Sequence, residues 1–216
     1  MMDNLAVNRK TGGMYMLETV GSSPIFTREQ LNDEQKEIRK MVEDFVTEKV
    51  LPFNEQIESK DLELTKQLIR EMGELGLLSI NIPEEFGGME MDKVTGIVVA
   101  EALVYGGSGS FTVSVSTQTG IGMLPIIWFG SEKQQEKYLP KLATGELIGA
   151  YALTEPEAGS DATSGKTIAK LSDDGKHYTL NGEKQFITNG GIADIYTLFA
   201  QVDGNKFSAF IIERNM

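Results

Sequence analysis

Two stretches of this chain hold residues whose types and spacing could do chemistry. The first is Tyr151-Ala-Leu-Thr-Glu-Pro-Glu-Ala-Gly-Ser-Asp161. Pro156 fixes its own φ, Gly159 permits a close approach that a side chain would block, and Ser160 stands beside that glycine. With Thr154, the loop offers two hydroxyls and a series of backbone N–H groups to an anion or to the polar edge of a ring. A plain polar turn between strands would use the same Gly, Pro and Ser. The second stretch, Asn181-Gly-Glu-Lys-Gln-Phe-Ile-Thr-Asn-Gly-Gly191, sets an aromatic ring, Phe186, and a hydroxyl, Thr188, between glycine-bearing turns. Taken alone, Phe186 and Ile187 read as an ordinary buried strand pair.

The elements that must position these stretches form two blocks. Residues 1–25 contain Gly12, Gly13, Gly21, Ser22, Ser23 and Pro24 without periodicity and read as an extended lead-in. From 26 to 146 the pattern is helical. Thr27 with Gln30 and Asn32 with Gln35 are helix-start signals, and Asp33 and Glu34 suit the positive end of a helix dipole. The spacing of Ile38, Met41, Val42, Phe45, Val46 and Val50 predicts one long helix ending near Pro52. A second is expected over 63–75, with Leu68, Ile69, Met72 and Leu75 inward and Gly73 and Gly76 helping to stop it. A third covers 94–104, its Glu101 expected to bond a neighbouring helix or loop. Segment 110–119, Ser-Phe-Thr-Val-Ser-Val-Ser-Thr-Gln-Thr, is strand-like by propensity but lies in a helical context. A short helix over 122–129 and one opened by Ser131 and Gln134 follow. Lys133, Lys137 and Lys141 on the latter read as a solvated face, because Glu132 and Glu136 are interleaved.

Beyond Leu147 the grammar changes. Short apolar or β-branched runs are separated by Asp173-Asp-Gly, Asn181-Gly, Asn189-Gly-Gly and Asp203-Gly-Asn. These turn signals predict an antiparallel β domain over 147–216. The fold class is α+β, and the β part reads as incomplete, its last strand, 207–213, stopping just short of Met216.

Composition narrows the function classes. The chain has 216 residues, 40% of them hydrophobic and 24% charged, an ordinary globular balance. Acidic residues outnumber basic ones by 32 to 20, a formal charge of −12, which argues against nucleic acid and against an anionic membrane surface. With no cysteine there is no disulfide, thiolate nucleophile or cysteine metal site, and no metal is expected. The single histidine, His177, reads as a surface residue at a hairpin shoulder. No apolar run approaches the length of a membrane span, and Met1 to Lys10 lacks a secretory core, so a cytoplasmic location is expected.

Together, LTEPEAGSD at 153–161 and NGEKQFITNG at 181–190 resemble the paired middle-domain motifs of the acyl-CoA dehydrogenase family, LTEPxxGSD and NGxKxWITNG. KYLPKLATGE before them and NGGIADIYTLFA after them make the likeness closest to the very-long-chain branch, and PEEFGG at 83–88 fits the family as well. The resemblance implies an N-terminal helical domain followed by a β-barrel-like middle domain, incomplete here. It also implies a helix for 110–119, whose small Thr112 and Ser116 would lie beside an acyl tail or serve close helix packing.

The implied activity is α,β-dehydrogenation of a long-chain fatty acyl-CoA in fatty-acid β-oxidation. A carboxylate removes the α-proton, the β-hydrogen passes as hydride to FAD, and electrons go on to an electron-transferring flavoprotein. The enolate needs hydrogen bonds to the thioester carbonyl, and the reduced flavin needs donors at its pyrimidine side. By the same resemblance, Tyr151, Ala152, Leu153 and Thr154 would meet the polar edge of the isoalloxazine. Gly159 and Ser160 would meet the pyrophosphate, with Ser160 also reaching the CoA arm. Phe186, Ile187 and Thr188 would flank the ring. Phe186 replaces the usual Trp, keeping an aromatic face but losing the indole N–H. The base is expected beyond Met216, so no catalytic residue is assigned in this chain. The chain alone is expected to be inactive and to hold FAD weakly or not at all, and the full-length protein to be a homo-oligomer. Two other readings stay open: an acyl-CoA oxidase, and a non-catalytic binding or assembly module.

Overall fold

A computed structural model describes residues 27–203 and 206–216; the lead-in read over 1–25 lies outside them. The chain divides into two units, 1–33 and 34–216. In the first, Arg28–Gln30 form a single 3-10 turn, and the Thr27 N–H donates to Gln30 Oε1 at 2.8 Å.

Helix α1 (Asp33–Phe45) buries Ile38, Val42 and Phe45, while Met41, expected inward, is exposed. It does not continue as one regular helix. A π turn, Val46–Val50, and a 3-10 turn, Leu51–Phe53, carry it to α2 (Asn54–Glu58). Helix α3 (Leu62–Glu74) starts where Asp61 accepts the Leu64 N–H at 3.0 Å. It ends before Gly76, whose φ of +76° only glycine adopts without strain. Leu75 lies on its exposed side. Helix α4 (Lys93–Ala102) is capped by Asp92, which accepts the Thr95 N–H at 2.8 Å, and its Glu101 meets Arg39 of α1 at 3.3 Å.

The ambiguous segment is helix α5 (Gly109–Thr119). Its β-branched residues are overruled by tertiary context: Phe111 and Val115, one turn apart, are fully buried. Two caps reinforce its start. Ser108 Oγ accepts the Phe111 N–H at 3.1 Å, and the Glu58 carboxylate accepts from Ser108 Oγ and Ser110 Oγ at 2.7 Å each. Helices α6 (Leu124–Phe129) and α7 (Glu132–Ala143) complete the helical part.

The sheet contains β1 (Gly149–Ala152), β2 (Ile168–Leu171), β3 (Tyr178–Asn181), β4 (Ile195–Val202) and β5 (Lys206–Glu213). It is mixed where the turn signals predicted antiparallel pairing throughout. Strands β2–β3 and β4–β5 are antiparallel, but β1 and β2 both run parallel to β4, β1 along Ile195–Leu198 and β2 at Gln201 and Val202. The Asp173-Asp-Gly signal does mark the β2–β3 hairpin, and Asp203 lies between β4 and β5. The signal at Asn181 marks the end of β3, and that at Asn189 a turn in the strandless run from Gly182 to Asp194. Local turn chemistry reports hairpins; parallel pairing is a long-range contact and leaves no such mark. The sheet is not closed.

The main core joins the two parts. Val42, Val46, Ile69, Leu78, Phe111 and Val115 of the helical layer pack with Ile148 and Ala150 at β1 and with Ile192 and Ala193 before β4. A second cluster joins Leu139 and Leu142 of α7 to Ile195.

Candidate functional site

Strand β1 delivers the first motif, and two buried amides and the half-buried Asp194 fix where it runs. Gln118 of α5, fully buried, donates from Nε2 to the carbonyls of Leu142 and Leu147 at 3.0 Å each and accepts the Gly149 N–H at 2.7 Å. Asp194 accepts the Ile148 N–H at 2.8 Å. Asn189 of the second motif donates from Nδ2 to Ser114 O at 3.0 Å and Gly149 O at 3.3 Å, so one amide links α5, β1 and the second loop. Gly149 also passes so close to Gly122 that a Cβ on it would lie 2.9 Å from the Gly122 oxygen. Ala150 and Ala152 point into the core, and Tyr151 turns the other way to meet Phe199 at 4.9 Å between ring centroids. Burial raises the Tyr151 pKa.

Past β1 the two motif loops are stapled together. Gln185 N donates to Thr154 O at 3.0 Å, and Lys184 Nζ donates to Leu153 O at 3.0 Å and to Glu155 Oε1 at 2.6 Å. Both side chains of that ion pair are buried, at 9% and 6% exposure. The Glu155 carboxylate also accepts the Thr167 N–H at 3.0 Å and the Lys166 N–H, which ties the loop's return into β2. Burial works against its charge, but the hydrogen bonds from Lys184, Thr167 and Lys166 outweigh it and hold its pKa at about 2.

Around this staple stand the residues singled out from sequence. Leu153 and Thr154 are half-buried at the crossing, while Gly159 and Ser160 lie exposed farther along the loop. A Cβ on Gly159 would meet no other atom within 4 Å, so that flank is open to a ligand. Phe186 is 86% exposed with φ +56°, and neither it nor Ile187 is in a strand. Ile187 packs on the main core instead. Thr188 lines a hollow of ≈ 390 Å³ with Gly109, Ser110, Val113 and Ser114 of α5. It follows Gln185 by three residues, a span of at most roughly 11 Å. The hydroxyls of Thr154, Ser160 and Thr188 bond no other described residue.

The two small residues of α5 differ. Thr112 Oγ1 donates back to Ser108 O of its own helix at 2.8 Å, whereas Ser116 lines a groove of ≈ 390 Å³ with Ile97, Leu103 and Trp128. A larger apolar hollow, ≈ 700 Å³, lies beside β1, β4 and β5 and is lined by Trp128, Phe129, Tyr151, Phe199 and Phe210.

Glu155, Lys184 and Gln118 were given no role from sequence, and Asn189 only that of a turn residue. The first two stand inside the motifs, and only their spacing across two separate loops hides that they are partners. Gln118 carries no signal beyond being an amide in an otherwise apolar and hydroxylic helix. Among the described residues no cluster of three or more His, Cys, Asp or Glu could hold a metal, and no helix is long and apolar enough to cross a membrane.

The model of the acyl-CoA dehydrogenase N-terminal domain matches residues 32–146, and that of the acyl-CoA dehydrogenase middle domain matches 150–216. A probable acyl-CoA dehydrogenase of Bacillus subtilis is 46% identical over 99% of this chain, which spans 36% of that relative's length. A short-chain-specific acyl-CoA dehydrogenase of Clostridium acetobutylicum is 40% identical over 85% of the chain and 48% of its own length. Among solved structures, an acyl-CoA dehydrogenase complexed with FAD from Bacillus anthracis superposes with a TM-score of 0.89 at 46% identity, covering 94% of this chain and 35% of that one.

Proposed function

Because the chain belongs to the acyl-CoA dehydrogenase family, we propose that it forms the flavin- and acyl-contacting part of an enzyme that dehydrogenates acyl-CoA thioesters. Its organisation is then a lead-in over 1–25, a helical domain over 26–146 and a β domain over 147–216. One observation carries the reading: the loops bearing Thr154 and Thr188 are stapled at Thr154–Gln185 and Glu155–Lys184, which holds the segment leading to Thr188 beside Thr154.

The residues there fit FAD. Three hydroxyls have no partner among the described residues, an aromatic ring is turned outward, and the glycine flank beside Ser160 is open. Bound there, FAD would supply the acceptor for the β-hydrogen and its electrons. Thr154, with the backbone of Ala152 and Leu153, would donate to the polar edge of the ring, and Tyr151 would begin that contact. Gly159 and Ser160 receive the pyrophosphate through backbone N–H groups and a hydroxyl. Phe186 and Ile187 would flank the ring, and the Thr188 hydroxyl would be a donor near its reactive nitrogen. Donors fixed in advance at these points favour the charge that develops on reduction.

Ser116 and Thr112 border the acyl chain in this reading, and Ser160 reaches the CoA arm. A long chain is the proposed substrate, supported by the small Ser116 side chain on the groove beside α4. The 40% identity to a short-chain-specific relative does not favour it. The base that takes the α-proton lies outside this chain, which by itself is inactive. The full-length protein is a cytoplasmic homo-oligomer of fatty-acid β-oxidation that passes electrons to an electron-transferring flavoprotein.

A hybrid tests this. Residues 27–216 replace the matching segment of the Bacillus subtilis relative, and flavin content and acyl-CoA-dependent dye reduction are measured. A yellow hybrid that oxidises acyl-CoA, with Thr154→Val and Thr188→Val each lowering flavin retention, is the expected result. A folded but colourless hybrid overturns the reading, as do variants that retain flavin like the parent.

A further inference from the structure

The Glu155–Lys184 pair belongs to neither donor set, yet it lies at their crossing. We propose that Glu155 and Lys184 are positioning residues, whose buried ion pair sets the register between the two motif loops and thereby aims Thr154, Phe186 and Thr188. The inference rests on the reading above for its purpose, but its geometry stands on this chain alone.

Burial separates this pair from the surface pairs of the same region. Lys166–Glu157, a bridge across the return of the first loop, is 74% and 70% exposed and belongs to the class that contributes little. Glu155 and Lys184 are 6% and 9% exposed. An ion pair so placed gives a fold no clear gain over well-packed apolar side chains, so its value lies in geometry rather than strength. Its bonds are directional and diverge. Lys184 Nζ spans Leu153 O and Glu155 Oε1, so one ammonium grips the first loop on both sides of Thr154. Glu155 meanwhile takes the N–H groups of Lys166 and Thr167, which fixes where the loop re-enters the sheet. Gly165 makes room for this: a Cβ there would come within 2.9 Å of Glu155 Oε1.

The pair also accounts for the unusual backbone of Phe186. A bulky residue with φ near +56° persists only where its surroundings over-determine it. On one side Lys184 and Gln185 are anchored to the first loop. On the other, Ile187 is packed on the core and Asn189 is tied to Ser114 and Gly149. Phe186 is the single residue between two fixed points, and its ring is thrown outward as a result. Slipping the register at Lys184 would relieve that residue and turn its ring.

The test uses Glu155→Gln, Lys184→Met and their combination in the 216-residue chain, with amide exchange at Gln185 as the readout. Leu139→Ala, remote in the second core cluster, serves as a control for general destabilisation. The double variant is expected to lose protection at Gln185 by at least about tenfold relative to β4–β5 amides, while the control at equal Tm loss keeps it. In the same double background, Phe186→Gly should no longer raise the urea midpoint that it raises in the parent, because the strain is already gone. Unchanged Gln185 protection, equal loss in the control, or additive effects of Phe186→Gly each overturn the proposal. In the hybrid enzyme the double variant should also weaken flavin retention by about tenfold. If the parent hybrid binds no flavin, the cofactor reading fails by itself, and the exchange result still decides the register.

Discussion

The two ends of strand β4 sit in different worlds. At Ile195 the strand pairs with β1 over four residues and is backed by α7 and the helical core. At Val202 it pairs with β2 over two residues, above a small cluster of Ala169, Ala200 and Val202. Beyond that, Ile168, Leu171 and Tyr178 are each at least 40% exposed. The candidate site lies where the well-packed end hands over to the sparse one. A donor set that must hold its geometry needs the first kind of support, and a loop that must admit a ligand needs the second. Glu155 spans the change, joining a loop that leaves β1 to the start of β2.

The largest effect should come from the packed end. Phe111→Ala removes a fully buried ring from the main core and should cost about 3–5 kcal/mol in urea unfolding. A loss under about 1 kcal/mol would mean that the helical layer does not support the sheet as described. Next is Gln118→Leu, which strands Leu142 O, Leu147 O and Gly149 N without their partner. It should cost about 3 kcal/mol. The damage should centre on β1, seen as faster amide exchange at Gly149 than in the β2–β3 hairpin.

Acid sharpens the comparison at the junction. The folded pKa of Glu155, about 2, lies below its ordinary value of 4.5. Its contribution is therefore complete above pH 4.5 and is lost as pH falls toward 2. Asp92, Glu58 and Glu213 are also held low by the hydrogen bonds they accept, so the expected signal is a difference. The stability gap between the parent and Glu155→Gln should be widest at neutral pH and close between pH 4.5 and 2. A gap independent of pH would remove the ion pair from the account. The smallest effect belongs to the sparse end: Leu171→Thr, on an exposed strand position, should change stability by no more than about 0.5 kcal/mol.

Much of the helical layer was legible because its signals are local. The starts read at Asn32, at Thr27 with Gln30 and at Ser131 with Gln134 are ones the structure uses, α1 beginning directly after Asn32. The apolar spacing in α1 and α3 picks out Ile38, Val42, Leu68, Ile69 and Met72 as core. It errs at Met41 and Leu75, which lie at the edge of their stripes, where periodicity distinguishes poorly between half-buried and exposed positions. The break from α1 into π and 3-10 turns was not legible. It occurs where Gly106 packs against Val46 and Val50, a contact across the fold.

At the candidate site, residue types were legible and arrangement was not. Thr154, Ser160 and Thr188 stand out by type, and the structure leaves their hydroxyls without protein partners among the described residues. Phe186 stood out as an aromatic at a strand position, and no strand exists there. Its left-handed backbone arises from anchors on either side, Gln185 on Thr154 and Asn189 on Ser114, each a partner far away in sequence.

What the amino-acid order determined unaided is therefore the class of the fold, the two motif loops and the donors they carry, since each rests on spacing within a few residues. What only the folded chain decided is which strands run parallel, that Glu155 meets Lys184, and which way Phe186 faces. Those outcomes depend on contacts between distant segments, where the entropy of closing a loop is opposed by burial and hydrogen bonding that no local pattern records.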